Sequence, residues 1–214
     1  MGRLSIILWI FILLGGLPLS AGAERIVLFL GDSLTAGLGV QAEETYPQLL
    51  GAMLSQDGIT DVRIVNGSIS GSTSASALAR LQWYRGKLHP SVLFLALGAN
   101  DGLRGLTIDE MEKNLAEVIA AAQAQGMTVI LGGMELPPNY GDDFTDAFRK
   151  VYRDLAARYA LELIPFLLEG VGGVAAFNQA DGIHPNAEGH RRIALHVYPF
   201  LKQHLMEPHA TRKE

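Results

Sequence analysis

The chain has 214 residues, of which 49% are apolar and 18% charged, and its formal net charge is −5. That length allows one domain with a substantial core, and an acidic balance without a basic run argues against nucleic acid as a partner. The lack of cysteine excludes thiolate catalysis, cysteine-based metal sites and disulfide staples together.

In chain order, residues 1–23 read as a secretory signal peptide. Met1-Gly2-Arg3 carries a positive charge, Leu4 to Leu19 is almost wholly apolar, and Ala21-Gly22-Ala23 offers a small-x-small cleavage site before Glu24. A membrane anchor is the alternative, but a span needs roughly 20 apolar residues. This stretch is shorter and is broken by Gly15-Gly16-Leu17-Pro18. The reading predicts a periplasmic or secreted protein, cleaved after Ala23, with no stable membrane span afterwards. Residues 24–214 then form a single domain.

Arg25–Leu30 is predicted as the first strand, ending at a Gly31-Asp32-Ser33 loop. Tyr46–Gln56 reads as a helix with Tyr46, Leu49, Leu50 and Met53 on one face. Val62–Val65 is a second strand, and Thr73–Tyr84 a helix with Leu78 and Leu81 inward. Val92–Leu97 is a continuous apolar run, as expected of a strand buried on both faces. Ile108–Gln125 is the clearest helix: Thr107 and Glu110 have capping-box spacing, and Gly126 stops it. Met127–Leu131 is a fourth strand, Phe144–Tyr159 an amphipathic helix and Leu161–Ile164 a short fifth strand. Ala187–Leu205 reads as a helix that Pro199 should kink or end, and Pro208–Glu214 as a frayed tail.

This alternation predicts an α/β fold with a parallel sheet and helices on both faces. In such sheets ligands bind beyond the carboxyl ends of the strands. Small and polar residues concentrate in the loops at that edge: Gly31-Asp32-Ser33-Leu34, Asn66 to Gly71, Gly98-Ala99-Asn100-Asp101-Gly102, Glu135 to Tyr140, and Asp181-Gly182-Ile183-His184-Pro185.

An i, i+3 Asp181–His184 pair in a turn can let the carboxylate accept from one imidazole nitrogen and leave the other as a base. A helix-capping Asp beside a surface His is the plainer alternative. Ser33 supplies the hydroxyl that such a pair could activate, against the alternatives of a helix N-cap or a phosphate-binding loop. A phosphate loop of the Gly-rich type calls for a Lys that is missing here. Asn100 offers an NH₂ donor and Gly71 an unshielded backbone N–H, either of which could face an oxyanion; an Asx-turn and an ordinary turn glycine are the alternatives. His89, His190, His196, His204 and His209 show no metal-ligand spacing and are expected to be surface or packing residues.

Taken together, Gly31-Asp32-Ser33-Leu34, Gly71, Gly98-x-Asn100-Asp101 and Asp181-x-x-His184 resemble the GDSL (SGNH) hydrolases, in that order. The longer strings Gly31–Leu38, Gly98–Gly105 and Pro137–Gly141 are similar to its periplasmic acyl thioesterase, lysophospholipase and arylesterase branch. The resemblance implies a flavodoxin-like three-layer α/β/α sandwich with a five-stranded parallel sheet in the order 2-1-3-4-5. It implies Ser33 as nucleophile, His184 as base and Asp181 as its orienter, with Ser33, Gly71 and Asn100 forming the oxyanion hole. It implies no metal and no cofactor. Ser72 departs from the pattern, since many relatives carry an acidic residue there. The α/β-hydrolase alternative lacks support, because Thr35 stands where a G-x-S-x-G elbow needs its second glycine.

The expected activity is hydrolysis of an acyl ester or thioester, a small-molecule substrate, by a chain expected to be monomeric. Leu103, Leu106, Leu136 and Pro137, with Ile183, are the candidates for holding the acyl chain. A carbohydrate O-acetylesterase on the same scaffold and an exported non-catalytic acyl-binding protein are the competing readings.

Overall fold

The computed structural model describes residues 24–206. The expected leader, the tail and His209 lie outside the described residues. Five parallel strands form one sheet in the order β2-β1-β3-β4-β5. They are β1 (Arg25–Gly31), β2 (Val62–Asn66), β3 (Pro90–Ala96), β4 (Thr128–Gly132) and β5 (Glu162–Ile164).

The apolar runs sit where both faces of the sheet are covered. Val27 to Leu30 of β1 and Leu93 to Leu95 of β3 have no solvent exposure. Phe29 and Phe94 stack across the two central strands with ring centroids 4.7 Å apart, a pairing that adds to plain area burial. Helices α2 (Tyr46–Gln56) and α7 (Ala187–Met206) pack on each other, while α3 (Ala77–Arg85), α5 (Ile108–Gln123) and α6 (Asp142–Tyr159) form a second row. The result is a three-layer α/β/α sandwich.

Several expected details differ. The helix expected from Thr73 begins at Ala77, after a 3₁₀ turn over Ser74–Ser76. Its buried residues are Ala77 and Leu81, with Leu78 only half-buried. The cause is Ser74, whose backbone N–H and hydroxyl are both held by Asp101. The capping box at Thr107 does not form: the Thr107 hydroxyl donates to Glu110 Oε2 at 2.9 Å instead of accepting from the backbone. Helix α6 starts at Asp142, earlier than its apolar period suggests, because Asp142 and Asp143 suit the positive end of a helix. Helix α7 runs through Pro199 to Met206. Pro199 is exposed, while Val197, Leu201 and Leu205 stay buried on the opposite stripe and hold the helix to the core.

Candidate active site

Gly31 ends β1 where no side chain fits: a Cβ there would lie 2.3 Å from Thr35 Oγ1. Asp32 follows and caps a short helix, α1 (Ser33–Ala36), its Oδ1 accepting the Leu34 N–H at 3.0 Å. The cap is therefore Asp32 and not Ser33, which leaves the Ser33 hydroxyl free for another partner. That partner is His184, whose Nε2 lies 2.9 Å from Ser33 Oγ across a separation of 151 residues.

The other imidazole nitrogen, Nδ1, is 2.7 Å from Asp181 Oδ2. Asp181 Oδ1 accepts the backbone N–H groups of Ile183 at 2.9 Å and His184 at 3.0 Å. Gly182 supplies the positive φ of 72° that this tight loop requires. The loop is fastened from below, where Gln179 N–H donates to His184 O at 2.8 Å and Asn186 N–H to Phe177 O at 2.9 Å. Asp181 thus both closes the turn and meets the ring.

The two carboxylates near Ser33 occupy opposite environments. Asp181 is exposed, and its pKa is lowered to about 2 by the His184 backbone N–H, then the imidazole, then the Ile183 N–H. Asp32 is buried, and desolvation raises its pKa to about 6 against the opposing pull of the Leu34 N–H, its own backbone N–H, His184 and Asn100. His190 shows burial of another kind: its pKa is lowered to about 4, and its Nδ1 accepts the Tyr46 N–H at 3.3 Å inside the core. It is a packing residue.

The next loops meet beside Asp32. Gly71 is exposed with φ 77°, and its carbonyl accepts from Arg104 Nη2 at 2.9 Å. Asn100 lies in a short helix, α4 (Ala99–Leu103). Its Nδ2 donates to Ser72 O at 3.1 Å and reaches toward Asp32 Oδ2 at 3.4 Å. Ser33 opens α1, so its N–H has no intrahelical acceptor. Gly98, just before α4, has φ 118°, and a Cβ there would lie 2.2 Å from the Tyr152 hydroxyl oxygen. That hydroxyl in turn donates to Leu97 O at 3.0 Å. Gly98→Ala is expected to cost about 3 kcal/mol or more, summing left-handed strain and overpacking. Urea denaturation checks it, and a loss under about 1 kcal/mol would show that this corner yields easily.

A cavity of about 380 Å³ opens beside the Ser33 loop. Leu103, Leu136, Pro137 and Ile183, four of the five candidates for holding an acyl chain, line it. Leu106 does not: it is 42% exposed, away from the cavity wall. Met134, Phe166 and Leu168 line it as well and were not singled out. Met134 follows β4 and the other two follow β5, so position beyond a strand's carboxyl end was the available signal. Leu34 and Ala99, each next to a proposed site residue, complete the inner wall.

A sequence profile of the GDSL-like Lipase/Acylhydrolase family matches residues 29–192. The chain belongs to that family. Among its GDSL relatives, the chain is 44% identical over 180 residues to Esterase TesA of Pseudomonas aeruginosa, spanning 84% of this chain and 89% of that protein. It is 38% identical over 189 residues to an arylesterase of Vibrio mimicus, covering 88% of this chain and 94% of the other. A crystal structure of TesA superposes with a TM-score of 0.81 at 43% identity, over 85% of this chain and all (100%) of that one. The psychrotrophic esterase EstA from Pseudoalteromonas sp., in a structure inhibited by monoethylphosphonate, gives a TM-score of 0.80 at 32% identity, over 85% of this chain and 99% of that one.

Proposed function

We propose that this GDSL hydrolase cleaves acyl esters and thioesters through an acyl-enzyme on Ser33. The observation that carries the reading is the continuous chain Ser33 Oγ–His184–Asp181, at 2.9 and 2.7 Å. Ser33 Oγ attacks the acyl carbonyl while its proton passes to His184 Nε2. The oxyanion that forms is met by the N–H groups of Ser33 and Gly71 and by the Asn100 amide. His184 then gives its proton to the departing alcohol or thiol, and water repeats the sequence on the acyl-enzyme. Asp181 accepts from Nδ1 throughout and supports the imidazolium.

The cavity beside Ser33 favours medium acyl chains over acetyl. Its walls are mostly hydrocarbon, and an acetyl group would leave most of its about 380 Å³ unfilled. That weighs against the carbohydrate O-acetylesterase reading. The esterase and arylesterase names of the relatives, and the phosphonate inhibition of one of them, support ester hydrolysis itself.

A phosphonate ester reagent tests the nucleophile, since Ser33 Oγ would form a P–O bond as the reagent's leaving group departs. Peptide mapping should place the adduct on Ser33; an adduct elsewhere would redirect the assignment. A panel of p-nitrophenyl esters from acetate to palmitate should peak between butyrate and decanoate, and Met134→Trp should move that peak to shorter chains. A peak at acetate, unmoved by Met134→Trp, counts against the cavity as acyl site.

The composition of residues 1–23 supports export with cleavage after Ala23. Sequencing the N-terminus of the exported protein should begin at Glu24, and an intact leader would refute cleavage.

A further inference from the structure

Asp101 is buried at 3% exposure, and the mechanism above does not use it. Both of its oxygens are committed to one residue. Oδ2 accepts the Ser74 backbone N–H at 2.9 Å, and Oδ1 accepts the Ser74 hydroxyl at 2.5 Å. Ser74 is itself 1% exposed, and its Oγ also accepts from Asn114 Nδ2 of α5 at 3.1 Å. A carboxylate gripping one residue by backbone and side chain together fixes both its position and its orientation.

What that grip restrains follows from the chain. Asp101 is bonded directly to Asn100, and Ser74 comes three residues after Gly71. The front of the Gly71 loop is fastened to β1, where Gly67 N–H donates to Phe29 O at 2.9 Å and Ile69 N–H to Gly31 O at 3.2 Å. Asn66 Nδ2 adds a bond to Thr35 O at 2.8 Å. Between those anchors and the rear, Asn100 Nδ2 meets Ser72 O at 3.1 Å and the exposed Arg104 meets Gly71 O at 2.9 Å. The only fully buried fastening at the rear, among the described residues, is Asp101 on Ser74.

We propose that Asp101 is a positioning residue: by holding Ser74 it sets the separation between Gly71 and Asn100, the oxyanion donors that come from different loops. A donor displaced by a fraction of an ångström still permits substrate to bind but no longer matches the tetrahedral oxyanion. Loosening the brace therefore lowers kcat and spares KM. Asn114 supports the brace at second hand, through the Ser74 hydroxyl.

The inference rests on the Ser33 hydrolase reading, and the test separates the two. Wild type, Ser33→Ala, Asp101→Asn, Ser74→Ala and the Asp101→Asn/Ser74→Ala double variant are assayed on p-nitrophenyl butyrate. Butylboronic acid and butyrate serve as inhibitors. With the boronic acid, Ser33 Oγ adds to boron as its proton moves to His184, and an anionic boron-bound hydroxyl takes the oxyanion's place; butyrate probes the ground state. Asp101→Asn should lower kcat about 100-fold with KM within about twofold, the scale of a small misplacement at the reacting centre. Boronate affinity should fall by a similar factor and butyrate affinity should hold. The double variant should be no worse than Asp101→Asn, because both changes cut the same link.

A folded Asp101→Asn protein with wild-type kcat and boronate affinity overturns the inference, as does an equal weakening of boronate and butyrate. If Asp101→Asn does not fold, Ser74→Ala decides on the same two readouts. Brace variants with unimpaired turnover, alongside an inert Ser33→Ala, overturn the inference alone. A Ser33→Ala protein that still hydrolyses the ester overturns the underlying reading.

Discussion

Ser33→Ala is expected to reduce ester hydrolysis by about 10⁶-fold, some 8 kcal/mol of transition-state stabilisation, and to leave the fold intact. On the proposed mechanism the size follows from the covalent step: without Oγ no acyl-enzyme would form, and His184 could only activate water. The fold survives because Ser33 holds up little else. The helix cap is the Asp32 carboxylate on Leu34 N–H, and the β1 end depends on Gly31. Alanine also suits the first turn of α1. Among the described residues, the only side-chain bond lost is the one to His184, at 2.9 Å. Turnover of p-nitrophenyl butyrate gives the first half of the result and thermal unfolding the second. Turnover within tenfold of wild type would mean that another group attacks the carbonyl. A large drop in Tm would mean instead that Ser33 carries structural weight that its bonds do not reveal.

The parts of this molecule that the sequence reveals are those under a strong local constraint. Val27 to Leu30 and Leu93 to Leu95 are buried on both sides of the sheet, so their apolar runs are unbroken and the strands read plainly. The parallel arrangement follows from alternation, and with it the gathering of the Ser33, Gly71, Asn100 and His184 loops at one edge. Strand order does not follow from periodicity; it came with the family resemblance. Helix starts are less legible because competing bonds decide them. Ser74 could have opened a helix from Thr73 but is held by Asp101, a partner 27 residues away. Thr107 has the right spacing for a capping box, yet its hydroxyl prefers the Glu110 carboxylate. The cavity beside the Ser33 loop is half legible. Leu103, Leu136, Pro137 and Ile183 sit in loops already marked by polar chemistry. Met134, Phe166 and Leu168 look like any core residue until the fold brings them to one cavity wall.

Asp181→Asn is expected to lower kcat by about 10³ to 10⁴-fold with little change in KM or stability. The loop explains why this variant separates two roles that Asp181 combines. As a turn residue it accepts the Ile183 and His184 N–H groups on Oδ1, and an Asn Oδ1 can accept both as well. As the imidazole's partner it must accept from Nδ1 on Oδ2, where Asn presents an NH₂ donor. That donor selects the tautomer in which Nδ1 accepts and Nε2 carries the proton, so Nε2 can no longer take one from Ser33. If Asp181 only closed the turn, Asn would serve as well, and near-normal turnover would establish that. The pH dependence adds a second reading. The donors around Asp181 lower its pKa to about 2, so their stabilising contribution is complete above its unfolded value, near 3.8, and disappears only as pH falls through about 2. Between pH 4 and 8 Asp181 is therefore a constant negative charge, and any acid-side fall in rate there belongs to other groups, among them buried Asp32, whose pKa desolvation raises to about 6. Rate–pH profiles of wild type and Asp181→Asn over that range check this: a step between pH 4 and 8 that belonged to the Asp181 carboxylate would show that the loop does not hold its pKa low.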